Sequence, residues 1–235
     1  MNIEYRVERL NTFINEGRIV RDYWTGVDEQ GRETACLLAA LSPEAGEAED
    51  ACVCPASVMP AWFAFITPWI DDHASESMWP SAIRRYAACA ARWSSLDEAA
   101  WRRVEIAARR VAVIEAMKTT EDGLTLRSSH ATLAWLEDDM PESSCPDVVG
   151  ASAAMWSVRW AARRSSVCDV LKAVYCSANS AEAAKRAEAG VQEGDATDDA
   201  TEAAARAAAW ATADRIIDAV LSALEKECGR EMGRE

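Results

Sequence analysis

Two carboxylates and an imidazole stand side by side at Asp71-Asp72-His73, the one place in the chain where these groups cluster. Carboxylates and imidazoles bind divalent metals and carry out general acid and base catalysis. Adjacent residues of a helix do not share a face, however, so at most two of the three side chains converge without help. The segment is compatible with a small metal-dependent enzyme, but the polar C-terminus of a helix is the favoured interpretation.

Cysteine and histidine elsewhere give weaker signals. Cys52-x-Cys54 could offer two thiolates to zinc, but structural zinc sites use two pairs, each spaced by about two to four residues. His130 could serve as a base for Cys89 or Cys145, yet nothing in the sequence places these residues together. The chain has neither a glycine-rich phosphate loop nor a nucleophile elbow. We therefore expect no catalytic residue, no bound metal and no cofactor.

The net charge of −14 bears on the choice of partner. Nucleic acids and anionic membranes bind proteins whose Lys and Arg displace counterions, so this charge disfavours both as partners. A protein partner with a basic surface is favoured instead.

The N-terminal residues carry charges where a signal peptide needs an apolar run. The longest apolar stretch, residues 56–70, contains Pro60 and Pro68 and is too short to span a bilayer. With no export signal, the eight cysteines are expected to be reduced and mostly buried. These features predict a cytoplasmic protein with no membrane segment.

Much of the negative charge lies in three segments expected to be loops, at residues 44–50, 137–147 and 193–202. Loops brought together by the fold would present a carboxylate array to a basic groove, whereas dispersed loops would only keep the protein soluble. The acidic residues that we expect to contact a partner are Glu44, Glu47, Glu49, Asp50, Glu137, Asp138, Asp139, Asp195, Asp198 and Asp199.

Residues 80–118 are basic, with seven Arg and one Lys against four acidic residues. Pairs of arginine recur there at a spacing of seven and flank the apolar stripe of one helix; they are Arg102, Arg103, Arg109 and Arg110. This row could dock an acidic partner or another subunit. Alternatively, Glu98 and Glu105 each precede an arginine by four residues, and the resulting ion pairs would merely support a solvated helix face.

The elements that must position these residues are helical. Alanine makes up 47 of the 235 residues and tryptophan ten, and the two alternate at helical spacing. Alanine favours helix and lets helix axes approach closely, while tryptophan fills the gaps that remain. We predict a mainly α fold, either a helical bundle or an irregular stack of helical hairpins. Residues 1–42 form a helix closed by Gly17 and then a small hairpin or a second helix.

Two regions are expected, an N-terminal segment of residues 1–55 and a helical body of residues 56–235. The breaker near 138–150 could divide the body into two packed halves. The predicted helices of the body cover residues 60–71, 80–93, 95–117, 128–137, 151–178, the first half of 179–199, and 200–228. Pro68 is expected to kink or split the first of them. A capping box at Ser95 and Glu98 is expected to begin the helix of residues 95–117.

Two of these helices carry long apolar faces. The face of helix 151–178 comprises Trp156, Trp160, Val167, Leu171 and Val174. The last helix carries a heptad seam of Ala203, Ala207, Trp210, Asp214, Ile217, Leu221, Leu224 and Cys228. A seam of this kind needs another helix to lie on, and a second copy of the chain could supply it.

One stretch of the chain reads Trp79-Pro-Ser-Ala-Ile-Arg-Arg-Tyr-Ala-Ala-Cys-Ala-Ala-Arg-Trp93. Together with the later Ala/Arg/Trp helices, it resembles Ala/Trp-rich helical phage proteins and toxin-immunity proteins. The resemblance is compositional and covers mainly residues 79–118 and 151–225. It carries no functional residue over to this chain. It implies a class of activity, that of compact helical proteins that bind and block another macromolecule, as phage anti-defence inhibitors of the anti-CRISPR type do.

Overall fold

Helices make up 72% of the residues that the computed structural model describes. The structure describes residues 2–140, 144, 146, 148, 152–163, 166–191 and 199–232. The helices are α1 (Ile3–Asn15), α2 (Leu37–Leu41), α3 (Pro43–Ala48), α4 (Ala61–His73), α5 (Trp79–Ala90), α6 (Glu98–Met117), α7 (Gly123–Glu137), α8 (Ala153–Ala162), α9 (Asp169–Glu188) and α10 (Asp199–Met232). The strands are β1 (Thr25–Val27) and β2 (Glu33–Ala35). The predicted fold class, mainly α with a small N-terminal hairpin, is confirmed.

The first helix is capped at both ends by local signals. The Asn2 side chain accepts a hydrogen bond from the Tyr5 N–H and caps the N-terminus of α1. Gly17 follows the C-terminus with a φ of 66°, in the left-handed region that favours glycine. The predicted closure of this helix at Gly17 therefore has a conformational cause.

The hairpin is antiparallel, with Thr25 opposite Ala35 and Val27 opposite Glu33. On the other side of β2, the Ala35 N–H donates to the carbonyl of Arg18, and the Ala35 carbonyl accepts from the N–H of Val20. The β2 strand is therefore the inner strand, and β1 forms the outer edge.

The chain divides into two compact units. Unit 1 comprises Met1–Val104 and Leu221–Glu235, and unit 2 comprises Glu105–Val220. These boundaries fall within α6 and α10, and not at residue 55 or between residues 138 and 150.

Unit 1 has an aromatic core centred on Phe63 of α4. The Phe63 ring stacks on Tyr86 with centroids 6.1 Å apart and meets Trp93 edge-on at 5.5 Å. Trp62 and Trp101 also lie close, with their ring centroids each 5.4 Å from that of Phe63. Tryptophan fills the space between helices in this unit, as the alternation of Ala and Trp predicts.

Unit 2 packs small side chains between α8 and α9. Ser157 is buried, and its hydroxyl donates to the carbonyl of Ala173 at 2.8 Å, which ties the two helices together. Val158 and Val174 are wholly buried nearby. Close approach of the helix axes is what the alanine content predicts.

The single helix predicted over residues 151–178 is wrong, because α8 ends at Ala162 and α9 begins at Asp169. The carbonyls of Trp160, Ala161 and Arg163 at the end of α8 accept hydrogen bonds from the Arg109 side chain. These contacts satisfy carbonyls that a helix terminus leaves without partners, and so they stabilise the break.

The apolar face predicted for this segment is also wrong in part. Trp156 and Trp160 are only half-buried, and Val167 is 45% exposed, although Val174 is buried. The residues of α8 that face the core are mostly smaller: Ala154, Met155, Ser157, Val158, Ala161 and Ala162.

Three further boundaries differ from the prediction. Helix α4 continues through Pro68 to His73, so the split at Pro68 does not occur. Helix α7 begins at Gly123, because the Asp122 carboxylate accepts the Thr125 N–H at 2.8 Å and caps it earlier than expected. Helix α5 ends at Ala90, three residues before the predicted end.

The capping box predicted at Ser95 is wrong. Asp97 caps α6, since its carboxylate accepts the Ala100 N–H at 2.7 Å. The Ser95 hydroxyl instead donates to the Arg92 carbonyl at 2.7 Å in the preceding 3-10 turn.

The heptad seam of α10 is divided between core and surface. Ile217, Leu221, Leu224 and Cys228 are buried within the chain, whereas Ala203, Ala207 and Trp210 are exposed. In unit 1, Arg85 of α5 binds Glu225 at 2.7 Å and so holds the C-terminal part of α10. This half of the seam already has its partner and does not need a second copy of the chain.

None of the helices in the described ranges is both long enough and apolar enough to cross a bilayer.

Candidate functional site

The Asp71-Asp72-His73 cluster does not converge on one point. The Asp71 carboxylate accepts the Leu37 N–H at 2.8 Å, and the Asp72 carboxylate accepts the Asp22 N–H at 2.8 Å. The His73 ring stacks on Trp69, and its Nδ1 lies 3.1 Å from the Trp69 carbonyl. Each of the three side chains thus serves a different backbone contact.

The protonation of this cluster follows from burial. Burial raises the pKa of the wholly buried Asp71 carboxyl well above its ordinary value, although the Leu37 N–H partly opposes the shift. Burial also lowers the pKa of His73. Both groups are thereby biased toward their neutral forms, which suits a helix end packed inside a protein.

Arg21 completes this helix end. Its guanidinium donates to the carbonyls of Asp71, Asp72 and Ala74, with the shortest of these contacts at 2.5 Å to Ala74. The cluster is therefore the capped C-terminus of α4, where the three side chains make separate contacts. Across the described ranges, no group of three or more His, Cys, Asp or Glu side chains is arranged to hold a metal ion.

The other thiol and imidazole candidates differ in their exposure. Cys52 is exposed while Cys54 is buried, and burial raises the pKa of the Cys54 thiol. Cys89 is buried in α5 and His130 is exposed on α7. Cys145 lies outside the described residues. The seven cysteines that the structure describes are free thiols.

The row of arginines on α6 does not form one docking surface. Arg109 is 2% exposed and binds Glu105 at 2.6 Å as well as the end of α8, so it is a structural residue. Arg103 binds Glu227 at 2.7 Å, and Arg110 lies 3.4 Å from Glu137. Arg102 is half-buried. The ion pair of Glu105 and Arg109 forms as the alternative interpretation predicts, but Arg109 is buried and does not lie on a solvated helix face.

The first acidic segment is a short helix and not a loop. Residues 43–48 form α3, and Glu49 follows in the left-handed conformation. Glu44 binds Arg6 at 2.6 Å, and this hydrogen-bonded guanidinium lowers the pKa of Glu44 to about 2. Asp50 caps the next turn by accepting the Cys52 N–H. Glu47 and Glu49 are exposed, and their side-chain carboxylates have no hydrogen-bond or ion-pair partner among the described residues.

The other two acidic segments lie in unit 2. Glu137 ends α7, and Asp138 and Asp139 follow it at the surface. Asp199 is exposed in the first turn of α10. Asp195 and Asp198 lie outside the described residues. Exposed carboxylates are thus present in both units.

A groove of about 370 Å³ lies in unit 1 beside the first acidic segment. Its lining includes all three residues of β1, together with Pro43 and Glu47 of α3. Arg9 and Glu33 form an ion pair of 2.6 Å at the same groove. Val27 is 75% exposed here and presents its apolar side chain to solvent.

The outer edge of the hairpin is open at this groove. The Cys36 N–H donates to the Trp24 carbonyl, and the Asp28 N–H donates to the Arg32 carbonyl. Bonded and non-bonded pairs alternate along an antiparallel ladder, so Thr25 and Val27 direct their backbone N–H and C=O groups away from β2. These groups have no partner among the residues that the structure describes, and an edge of this kind can accept another strand.

Glu47 was predicted to contact a partner, but the groove beside it was not predicted. The hairpin was one of two alternatives predicted for this segment, and nothing local in residues 25–27 indicates that Val27 stays exposed. No family model, curated protein or solved structure matches this chain. Its function is therefore inferred from the geometry of its surfaces.

Proposed function

We propose that the protein is a non-enzymatic binding protein that blocks another macromolecule by docking onto a basic part of a protein partner. The groove between β1 and α3 carries this proposal, because it combines an open strand edge with exposed carboxylates. An extended segment of the partner lies along β1, and its Lys or Arg side chains meet Glu47 and Glu49. The role corresponds to that of phage anti-defence, anti-CRISPR-like or immunity-type inhibitors, acting in the cytoplasm.

Electrostatics support the choice of a basic partner. The net charge of −14 is shared equally, so that units 1 and 2 each contain seven more acidic than basic residues. This charge attracts basic proteins over roughly a Debye length, about 8–10 Å at physiological ionic strength. Glu47 and Glu49 are not neutralised by an ion pair among the described residues, so they can pair with the partner instead.

The groove can be tested with a defined probe, a short labelled peptide of alternating Lys and Val. Such a peptide favours an extended conformation and places its charges on one face. We expect binding in fluorescence anisotropy at low salt, and backbone amide shifts at Thr25 and Val27 in NMR spectra. Glu47→Lys combined with Glu49→Lys is expected to weaken binding by about tenfold or more, since two charge pairs become repulsive.

A matched control separates the groove from the overall charge. Glu76→Lys combined with Glu121→Lys changes the net charge equally, at two other exposed carboxylates. This control is expected to bind almost as well as the wild type. Equal weakening by both double variants would show that only the overall charge matters, and the groove assignment would be wrong.

The blocking role needs the natural partner. Wild-type protein and both double variants serve as bait in the cells that produce the protein, and captured proteins are quantified by mass spectrometry. We expect one captured protein to bind both the wild type and the Glu76/Glu121 control. The same protein should not bind the Glu47/Glu49 variant. The purified partner should then lose its own activity when the wild type is added. A partner that binds but stays fully active would contradict the inhibitory function.

A further inference from the structure

Unit 2 displays two tryptophans on the surface of the α8–α9 hairpin. Trp156 and Trp160 stack on each other with centroids 6.2 Å apart and an interplanar angle of 24°. Both rings are half-buried, so each presents part of its surface to solvent. The small residues on the opposite face of α8 form the core, and the tryptophans are therefore not needed to fill it.

Three cations lie over these two rings. The guanidinium of Arg159 is 4.8 Å from the centroid of Trp156. The guanidinium of Arg163 and the ammonium of Lys172 are 5.0 and 4.2 Å from the centroid of Trp160. Cation–π contacts hold such groups in place without neutralising their charge. We call this set, Trp156, Arg159, Trp160, Arg163 and Lys172, the cation–aromatic face.

The charge of this face stands out in an acidic protein. Most arginines elsewhere bind a carboxylate, as Arg103 binds Glu227 and Arg215 binds Glu115. The three cations of the face have no carboxylate partner among the described residues. Asp169, the acidic residue nearest to Lys172 in the sequence, is 1% exposed and accepts the Ser166 N–H instead. The face is therefore a positive patch within a unit of net negative charge.

We propose that the cation–aromatic face is a docking surface for an acidic segment of a protein, rich in Asp and Glu. Carboxylates would pair with Arg159, Arg163 and Lys172, and the exposed parts of the rings would cover the backbone and apolar atoms of the segment. Tyr175, 48% exposed and three residues after Lys172, extends the same side of α9.

Two observations favour an acidic protein segment over single-stranded nucleic acid. A base stacks on an open aromatic face, but the faces of Trp156 and Trp160 already carry cations and each other. A nucleic acid also extends its phosphates beyond the patch, where the acidic remainder of the unit repels them. A short acidic segment needs to match only the patch itself.

This inference concerns unit 2 and an acidic ligand, so it stands or falls separately from the groove in unit 1 and its basic ligand. The test uses the full-length protein and two fluorescent probes of equal charge, an oligoglutamate peptide and an oligothymidylate. Binding is followed by anisotropy at low salt. Arg159→Gln and Lys172→Gln are the test variants, and Lys185→Gln is the matched control, because Lys185 lies on the same helix but binds Glu188 at 2.6 Å.

We expect the peptide to bind the wild type and the Lys185→Gln control equally. Each test variant should weaken binding by about tenfold, the loss expected for one charge-assisted hydrogen bond. Circular dichroism should show unchanged helicity for all variants, since none of the three substituted side chains is fully buried. Three outcomes would overturn the proposal: no peptide binding, equal loss in Lys185→Gln, or tighter binding of the oligothymidylate than of the peptide.

Discussion

Asp71 couples the stability of the protein to pH. Its pKa is raised by burial, so the folded protein binds this proton more tightly than the unfolded chain does. The stabilisation that this bound proton adds to the free energy of unfolding is complete below about pH 4. It falls as pH rises toward the folded-state pKa, by about 1.4 kcal/mol per pH unit. We expect Asp71→Asn to remove this dependence, so that the variant gains stability relative to the wild type between about pH 4 and 7.

Urea unfolding at several pH values measures this difference directly. Because both proteins share every other titrating group, their difference isolates the Asp71 carboxyl. A difference that stays constant with pH would show that Asp71 is ionised in the folded protein.

Arg109 is the residue whose role is furthest from its predicted one. Replacement by Ala leaves Glu105 and three carbonyls of the α8 terminus without their donor in a buried environment. We expect a loss of about 3–5 kcal/mol in the free energy of unfolding, as for other broken buried ion pairs. Arg110→Ala is the control: its side chain is 37% exposed, and its ion pair is worth about 1 kcal/mol or less. Similar losses in the two variants would contradict a structural role for Arg109.

Residue type alone does not separate paired charges from free ones. Glu44 and Glu47 lie three residues apart in one acidic segment, yet Glu44 binds Arg6 while Glu47 borders the groove. The partner of Glu44 is 38 residues away in the chain, so no local pattern reveals it. The acidic residues of the candidate site could therefore be predicted as a group, but their individual roles could not.

Among the helices, boundaries were predictable where the signals are local. Apolar spacing placed α6 and α10 to within a few residues, and Pro80 in the first turn of α5 marked its start. The break between α8 and α9 was not predicted, because the side chain that stabilises it, Arg109, is more than 50 residues away in the chain. Val167, which was assigned to the apolar face of that segment, lies in this break.

The start of α6 can be tested by two substitutions two residues apart. Asp97→Ala removes the cap from the Ala100 N–H, and we expect a loss of about 1 kcal/mol in the free energy of unfolding. Ser95→Ala should cost only a few tenths of that amount, because the exposed Ser95 hydroxyl contacts the preceding turn and can be replaced by water. Chemical denaturation measures both losses. A larger loss for Ser95→Ala than for Asp97→Ala would support the capping box at Ser95 instead.

Substitutions in the two halves of the α10 seam are expected to differ in their cost to stability. Leu224 is wholly buried, and Leu224→Ala should cost about 2–5 kcal/mol through lost burial and the cavity left behind. Trp210 is 51% exposed, so Trp210→Ala should cost far less despite removing a larger side chain. Thermal or urea unfolding of both variants checks this order. A large loss from Trp210→Ala alone would place a partner on the exposed half of the seam.

For the whole chain, charge opposes self-association at neutral pH. The net charge is −14 and the isoelectric point is about 4.7, so copies repel one another at pH 7.5 and lose that repulsion near pH 4.7. Because the apolar C-terminal half of the α10 seam is buried within the chain, we expect a monomer at micromolar concentration at pH 7.5. Association should appear only as the pH approaches 4.7. Light scattering with size-exclusion chromatography measures both states, and a stable dimer at pH 7.5 would favour a self-assembling protein instead.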